Sequence, residues 1–216
     1  MSMPAPTHVP HTTIQRLPVY LRCLLQAQAA RVRVISSGDI AEMCGTNPAQ
    51  VRKDLSYLGE LGTRGIGYDV DDLVGHISEV LGITERRKVA LVGFGKLGAA
   101  LYGYSGFAER GFEFVAIVDV DPAKVGTQTD GITIRHLDDA CEVVRASGAE
   151  IAIISTPADG AQAAADVVVE AGVKAILNLA PVRLVVPPDV AVRQVCLSTD
   201  LQILSFYLAQ HDGGER

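Results

Sequence analysis

The chain has 216 residues, of which 48% are hydrophobic and 20% charged, so it is long enough for one large or two modest globular domains. No apolar run approaches the roughly 18 residues needed to cross a bilayer, which excludes a membrane-spanning protein. The net charge of −6 argues against nucleic acid as a partner of the whole chain. Residues 1–68 nevertheless hold seven basic and four acidic side chains, which keeps that partner open. We expect a cytoplasmic protein.

The cysteines and histidines predict no metal site. Cys23, Cys44, Cys141 and Cys196 form no C-x-x-C pair and lie in apolar surroundings, so buried reduced thiols are expected, with a thiol redox switch as the alternative. The five histidines are scattered without the spacing of metal ligands.

Residues 1–11 are proline-rich and are predicted to be disordered, whereas residues 12–84 are predicted to form a helical domain. Thr12 or Thr13 would cap a helix that runs through residue 28. Pro18 is tolerated only near a first turn, which would delay the regular helix to about Leu17. The apolar face of this helix comprises Ile14, Leu17, Leu21, Leu24 and Leu25.

A short second helix over 39–44 is predicted to follow a Ser36 or Ser37 cap, with Ile40, Ala41 and Met43 facing inward. A turn at Gly45-Thr46 then leads to the third helix. Its start signal is Asn47 as N-cap, Pro48 in the first turn and Gln50 placed for a capping box.

The third helix is expected to run to Leu58, and Gly59 would end it. Val51, Leu55 and Leu58 recur at helical spacing and define its buried face. The outward-facing side chains are then Gln50, Arg52, Lys53, Ser56 and Tyr57. A short helix, a turn and a helix with a polar and basic outer face are typical of a DNA-binding helix-turn-helix, the alternative being a three-helix cap with a merely solvated surface.

The Gly-rich segment from Leu61 to Tyr68 has the length of a two-stranded wing. Arg64, followed by Gly65, would lie near its tip and contact a minor groove or a phosphate, with Tyr68 at its end. A helix over 71–81 and a linker over 82–88 are expected next.

A strand-like apolar run over 88–92 leads directly into a G-x-G-x-x-G motif and a helix. The first glycine makes a tight turn, the second lets the backbone approach a pyrophosphate, and the third lets the helix pack closely. Asp119 ends the next apolar run, where a carboxylate would meet an adenosine ribose. The motif residues are Gly93, Phe94, Gly95, Lys96, Leu97 and Gly98. A glycine-rich turn without a ligand is the alternative.

Strands and helices alternate over residues 85–197, which predicts a Rossmann-type, doubly wound parallel sheet and an α/β fold for this domain. Strands are expected over 89–93, 112–119, 132–134, 151–155, 174–178 and 190–196. Helices are expected over 96–110, 137–146 and 160–171.

Ligands of such sheets bind beyond the carboxyl ends of the strands, where Thr156, Pro157 and Asn178 are expected. Asp119 is preferred to Asp121 for the ribose. No arginine follows it to receive a 2′-phosphate, which favours NAD(H) over NADP(H), with Lys124 a weak candidate for such a phosphate.

Residues 198–216 are predicted to form a C-terminal helix rich in apolar side chains, including Leu201, Leu204, Phe206 and Leu208. Such a helix must pack on its own domain or on another subunit. We favour a dimer contact, with this helix exchanged between subunits.

Two functions are compatible with a dinucleotide site. The segment Ser155-Thr-Pro-Ala-Asp-Gly160 resembles sugar dehydrogenases of the glucose–fructose oxidoreductase type. Their catalytic Glu-Lys-Pro turn would fall where this chain has Asn178-Leu-Ala-Pro181, so the lysine is missing, and no histidine follows a strand to transfer a proton. A non-enzymatic, ligand-controlled DNA-binding protein is therefore preferred.

Six segments make a more specific pattern than the glycine motif alone: Val51-Arg-Lys-Asp-Leu-Ser-Tyr-Leu-Gly59, Gly62-Thr-Arg-Gly-Ile-Gly-Tyr68, Gly93-Phe-Gly-Lys-Leu-Gly98, Tyr104-Ser-Gly-Phe107, Val118-Asp-Val-Asp-Pro122 and Asn178-Leu-Ala-Pro181. They closely resemble the Rex family of redox-sensing transcriptional repressors, and the likeness covers nearly the whole chain. The resemblance implies a bacterial homodimer that binds an inverted-repeat operator in double-stranded DNA, senses NADH and NAD+, and leaves the DNA when NADH binds.

The resemblance also implies roles for individual residues. Lys53, Ser56 and Tyr57 would contact the major groove, and Arg64 with its wing neighbours the minor groove. Tyr104 would lie near the nicotinamide, and Phe206 would approach the partner's nicotinamide through the exchanged helix. Arg16 matches a position between the two domains, where Asp200 is a candidate acidic counterpart.

Overall fold

The computed structural model describes residues 9–63 and 65–213, with side chains up to residue 210. Arg64, residues 1–8 and residues 214–216 lie outside the described residues. The chain divides into two compact units between Glu85 and Arg86, here called the N-terminal unit and the C-terminal unit.

The N-terminal unit contains four helices and a small sheet. The helices are α1 (His11–Ala29), α2 (Ser37–Cys44), α3 (Pro48–Ser56) and α4 (Val70–Leu81). Strands β1 (Val34–Ile35), β2 (Gly62–Thr63) and β3 (Gly67–Asp69) form an antiparallel sheet in the order β1-β3-β2. The predicted two-stranded wing is thus present as β2 and β3, and β1 extends it.

Helix α1 differs from the expectation in its start and in its buried face. It begins at His11, and Pro18 lies inside it. The residues that face the core are Thr13, Leu17, Tyr20, Leu21, Cys23, Leu24 and Ala27. Ile14 and Leu25, which were expected in the core, are 42% and 45% exposed.

The helix-turn-helix is confirmed, with different details at three positions. Ser36 caps α2 in a capping box with Asp39. Asn47 caps α3 by accepting a hydrogen bond from the backbone N–H of Gln50. The Gln50 side chain does not complete a capping box, because its amide donates to Asp54. Met43 is exposed rather than buried, and α3 ends at Ser56, two residues earlier than expected.

The C-terminal unit is built on a seven-stranded sheet. Strands β4 (Arg87–Val92), β5 (Phe112–Asp119), β7 (Ile132–His136), β8 (Ile151–Ile154), β9 (Ala175–Asn178) and β10 (Ala191–Gln194) are parallel. The short strand β6 (Gln128–Thr129), which was not expected, pairs antiparallel with β7 at one edge. The strand order is β10-β9-β8-β4-β5-β7-β6.

This order confirms the doubly wound sheet. Strand β4 is central, and the chain turns outward in one direction through β5 and in the other through β8. Helices α5 (Lys96–Tyr102), α6 (Ala140–Ser147) and α7 (Ala158–Glu170) connect the strands. Helix α5 is shorter than expected, because the chain leaves the helix at Gly103 and forms only a 3₁₀ turn over Ala108–Arg110.

Small side chains let α7 pack closely on the sheet. Its inner face consists of Ala161, Ala164, Ala165 and Val168, all fully buried against apolar strand residues. This packing holds the carboxyl ends of β4, β5 and β8 in one layer, which is where the candidate site lies.

The last helix, α8 (Leu197–Gly213), carries apolar side chains on every side rather than on one face. All of its residues with described side chains are exposed, including Leu204 at 56% and Phe206 at 58%. None of the helices in the described part of the chain has the length and apolar character required to span a bilayer.

Candidate nucleotide site and DNA-binding surface

The glycine motif forms a tight loop between β4 and α5. Gly93 follows β4 with φ +93°, a left-handed conformation that favours glycine, and Ser155 Oγ donates a hydrogen bond of 2.7 Å to its carbonyl oxygen. Gly98 is buried in α5 directly against the Gly93 carbonyl oxygen. No atom lies within 4 Å of the Cβ position at Gly95, so this residue leaves the approach to the α5 N-terminus open.

Asp119 ends β5 beside this loop and is 8% exposed. Its carboxylate accepts hydrogen bonds from the backbone N–H groups of Phe94 (2.6 Å) and Asp121 (2.8 Å) and from Lys124 Nζ (3.3 Å). Burial alone would raise the pKa of Asp119, but these hydrogen bonds outweigh it and lower the pKa. These hydrogen bonds therefore favour the ionised form of Asp119.

Lys124 is bound by two carboxylates, since its Nζ lies 3.3 Å from both Asp119 and Asp121. The ammonium group is thus already neutralised at the place where a 2′-phosphate would need a free positive charge. This geometry favours an unphosphorylated ribose and agrees with the preference for NAD(H).

A cleft of about 540 Å³ lies over the carboxyl ends of β4, β5 and β8. Gly93, Gly95, Asp119, Thr156 and Pro157 line it. Among the described residues, Thr156 Oγ1 is the one buried side-chain polar atom without a hydrogen-bond partner. Such an atom in the wall of a cleft fits a bound ligand that supplies the missing partner.

Asn178 is the last residue of β9 and so lies at the carboxyl end of a strand, as expected. Its side chain is fully buried, donates to the carbonyl oxygen of Val182 and to Gln194 Oε1, and accepts from the Ala180 N–H. These hydrogen bonds tie the Asn178 side chain to the turn after β9 and to Gln194 of β10.

Three further predicted cofactor residues, Lys96, Leu97 and Tyr104, are exposed, whereas Phe94 is half-buried against Tyr102. Lys96 and Leu97 lie in the first turn of α5 with their side chains in solvent. Tyr104 is 55% exposed, forms an edge contact with Phe107, and places its ring against the backbone of Gly106. Within residues 9–63 and 65–213 no cluster of three or more His, Cys, Asp or Glu side chains is arranged to hold a metal ion.

In the N-terminal unit, α3 presents Lys53 and Ser56 to solvent, and Tyr57 is half-buried at its end. Arg52 is also exposed, but its guanidinium donates a 2.9 Å hydrogen bond to Ser37 Oγ at the start of α2. Arg52 thus holds the two helices of the helix-turn-helix together on the outer side. Gln50, predicted on the DNA-facing side, is turned toward Asp54 instead.

The wing lies beside α3, and a groove between them is lined by Arg52, Ser56, Gly65 and Tyr68, among others. Gly67 has φ +120° and leaves no room for a side chain against the backbone of Ile35. Tyr68 packs over Gly62 across the hairpin. Arg64, the predicted tip residue, lies outside the described residues.

Asp54 is the buried charged residue that the sequence analysis missed. It is fully buried on the inner side of α3 and accepts hydrogen bonds from Thr13 (2.8 Å), Tyr20 (2.8 Å) and both Nε and Nη2 of Arg16 (2.7 Å each). Within the N-terminal unit, the acidic partner of Arg16 is therefore Asp54. Helical spacing indicates that Asp54 is buried, because it lies three residues after Val51 and four before Leu58 and therefore shares their face of the helix.

A winged helix-turn-helix and a Rossmann-type fold in one chain place the protein among DNA-binding regulators that carry a dinucleotide-binding fold. Residues 84–182 match a family described as "CoA binding domain", and residues 8–56 match "Putative DNA-binding protein N-terminus". Both matches agree with the two units of the structure.

Two relatives are named redox-sensing transcriptional repressor Rex. The protein of Streptomyces griseus is 49% identical over 96% of this chain and 81% of its own length. That of Desulfitobacterium hafniense is 50% identical over 92% of this chain and 94% of its own length.

Solved structures agree with these relatives. The crystal structure of RSP with β-NAD+ and operator DNA matches with a TM-score of 0.90 and 33% identity over 95% of both chains. RSP with β-NADH matches with a TM-score of 0.85 and 32% identity over 95% of this chain and 97% of that one. The chain belongs to the Rex family of redox-sensing transcriptional repressors. The oxidoreductase alternative is not favoured.

Proposed function

We propose that this protein is a cytoplasmic homodimeric repressor that binds an inverted-repeat operator and leaves it when NADH binds. A redox-sensing, DNA-binding repressor is the function that family membership carries. The observation that supports it most directly is that one chain carries both a winged helix and a candidate nucleotide site. In that site the Cβ position of Gly95 is free of neighbouring atoms, and the Asp119 carboxylate accepts a hydrogen bond from the Phe94 N–H.

The nucleotide site would use the groups that line the cleft. The α5 N–H groups beside Gly95 would bind the pyrophosphate, Asp119 would accept from the adenosine ribose, and Thr156 would gain a hydrogen-bond partner. NADH and NAD+ would be bound and released unchanged. We find no described histidine in the lining of the cleft that could transfer a proton to a substrate.

NADH is expected to release an inverted-repeat DNA from the protein, and NAD+ is expected to oppose that release. A coupling free energy of about 1–3 kcal/mol is typical of such linkage and corresponds to a change of about 5–150-fold in DNA affinity. The measurement is fluorescence anisotropy of labelled DNA, titrated with NADH at several fixed NAD+ concentrations. DNA affinity that does not respond to either nucleotide would contradict the proposal.

Lys53, which is exposed on α3, and Arg64 of the wing sequence are proposed to bind DNA. The double variant Lys53→Ala/Arg64→Ala should bind operator at least tenfold more weakly and lower the salt dependence of binding by about one unit per lost phosphate contact. NADH affinity should not change, because both substitutions lie in the N-terminal unit. Lys174→Ala, which removes an exposed lysine of the C-terminal unit, is the matched control. Unchanged operator binding in the double variant would mean that this face is only solvated.

Dimerisation is proposed to bury α8. An apolar helix that is exposed on every side is unfavourable in water, and exchange of this helix between two subunits would remove its side chains from solvent. The two winged helices of the dimer would then match the two halves of an inverted repeat.

Phe206 is proposed to make the site prefer NADH. The oxidised nicotinamide ring is positively charged and the reduced ring is neutral, so an apolar side chain that covers the ring penalises the oxidised form. Tyr104 is the other proposed neighbour of the ring.

Phe206→Ala is expected to weaken the NADH-driven release of DNA while leaving DNA affinity without nucleotide nearly intact. The anisotropy titration above measures both quantities. Leu208→Ala, at another exposed position of α8, is the control for general weakening of the helix. If Phe206→Ala responds to NADH as the native protein does, the role assigned to this ring is wrong.

A further inference from the structure

Two cysteines of the N-terminal unit are in contact. Cys23 lies on the buried side of α1, and Cys44 is the last residue of α2, directly before the turn that leads to α3. Their Sγ atoms are 2.9 Å apart, and a weaker contact of 3.9 Å joins Cys44 Sγ to the Val19 carbonyl oxygen. Cys141 and Cys196 lie in the C-terminal unit.

The distance between the two sulfur atoms is only slightly longer than a disulfide bond. The S–S bond of a disulfide is about 2.05 Å, so the two sulfurs would need to approach by only about 0.9 Å. Both helices are packed on the same core, which includes Leu24 and Ala41. A bond across this contact would therefore form with α1 and α2 near their present positions.

We propose that Cys23 and Cys44 are a redox modification site, at which exchange with a low-molecular-weight disulfide forms an intramolecular disulfide that joins α1 to the end of α2. The Cys44 thiolate attacks one sulfur of the small disulfide and releases one thiolate, giving a mixed disulfide. Cys23 then loses its proton to solvent, attacks Cys44 Sγ and releases the second small thiol. The protein loses two protons and two electrons, and the small disulfide is reduced to two thiols.

The environment of the two thiols makes this exchange slow. Cys44 is half-buried and is the sulfur that a small disulfide can approach, whereas Cys23 is 3% exposed. Burial, with the hydrogen bond to Cys23, raises the pKa of the Cys44 thiol to about 12, so few molecules carry the attacking thiolate at neutral pH. The pair thus responds to a sustained change in thiol redox state and not to brief ones.

The expected consequence is a more stable winged helix that still binds DNA. The bond would close a loop between residues 21 positions apart and restrict the unfolded chain. A rise of about 5–10 °C in the unfolding midpoint is the expected size. The N-terminal unit would then have a thiol couple of its own, separate from the nucleotide site.

The test uses the full chain with Cys141→Ser and Cys196→Ser, so that only the pair remains. Samples are equilibrated in reduced and oxidised glutathione at a series of ratios, approached from both sides at pH 8.5, then alkylated and mapped by mass spectrometry. We expect a cross-linked peptide that joins residues 23 and 44, its loss on addition of dithiothreitol, and the higher unfolding midpoint. Free thiols at every ratio would overturn the proposal.

Two further measurements separate a disulfide from other effects of oxidation. Cys44→Ser in the same background should show no rise in the unfolding midpoint with oxidised glutathione, and an equal rise there would overturn the proposal. Operator affinity of the oxidised protein should stay within about threefold of the reduced protein. A loss of tenfold or more would overturn the inference that the bond forms in the DNA-binding arrangement. The mapping itself does not depend on DNA or nucleotide binding.

Discussion

The Asp54→Ala variant is expected to lose about 3–5 kcal/mol of the free energy of unfolding of the N-terminal unit, because it removes one partner of a buried ion pair. The fully buried carboxylate accepts hydrogen bonds from three α1 side chains, including the paired donors of Arg16. Without it, Thr13 and Tyr20 lose their buried acceptor, and α3 loses its polar link to α1. Since a whole domain is stable by only about 5–15 kcal/mol, operator binding should be lost near physiological temperature.

Thermal unfolding followed by circular dichroism and operator anisotropy measure the two effects. NADH binding should persist, because the glycine loop lies in the C-terminal unit. Asp72→Asn removes the same charge from an exposed position of α4 and should change stability by no more than about 0.5 kcal/mol. Equal stability of Asp54→Ala and Asp72→Asn would show that the buried network contributes nothing.

The same network predicts how stability depends on pH. Burial would raise the pKa of Asp54, but hydrogen bonds from Arg16, Thr13 and Tyr20 outweigh it and lower the pKa to about 2. A lowered pKa stabilises the fold above the unfolded value of about 4, and that contribution is lost as the pH falls from about 4 toward 2. The difference in unfolding midpoint between the native protein and Asp54→Asn should thus be constant from pH 5 to 8 and shrink below about pH 4.

The Gly98→Ala variant is expected to bind NADH more than tenfold more weakly and to lose about 1–3 kcal/mol of stability. Its methyl group would overlap the Gly93 carbonyl oxygen and lie 2.9 Å from Ser155 Oγ. Gly93 is held in place, because its N–H donates to the Val118 carbonyl oxygen (2.8 Å) and its own carbonyl oxygen accepts from Ser155 Oγ (2.7 Å). The loop must therefore open, and the N–H groups proposed to bind the pyrophosphate would lose their alignment.

Two other glycines of the same region serve as controls. At Gly95 nothing lies within 4 Å of the Cβ position, so Gly95→Ala should unfold like the native protein and yet bind NADH weakly, because the methyl group occupies the approach of the pyrophosphate. Gly103→Ala, with only ordinary contacts at 3.6 Å, should preserve both properties. NADH fluorescence reports binding, and the chain has no tryptophan to interfere. Native affinity in Gly95→Ala and Gly98→Ala would exclude the glycine loop as the site.

Short sequence patterns predicted the helices and strands whose ends depend on neighbouring residues in the chain. The Asn47-Pro48 start of α3, the strand and glycines of residues 88–98 and the acid at Asp119 were all correctly placed, because caps, tight turns and strand runs depend on neighbouring residues. Local patterns were wrong about α1. Pro18 was expected to delay the helix, but the packing of Leu17, Tyr20 and Leu24 on the core keeps the helix regular from His11.

The sequence by itself determined the two fold types, the glycine loop and the basic outer face of α3, since each follows from residue types at fixed short spacings. Only the tertiary structure decided the partners of polar groups that are distant in the chain. Arg16 pairs with Asp54 across 38 positions, Ser155 holds the Gly93 carbonyl across 62, and Cys44 meets Cys23 across 21. These contacts depend on which helices and strands pack together, and spacing along the chain carries no information about that packing.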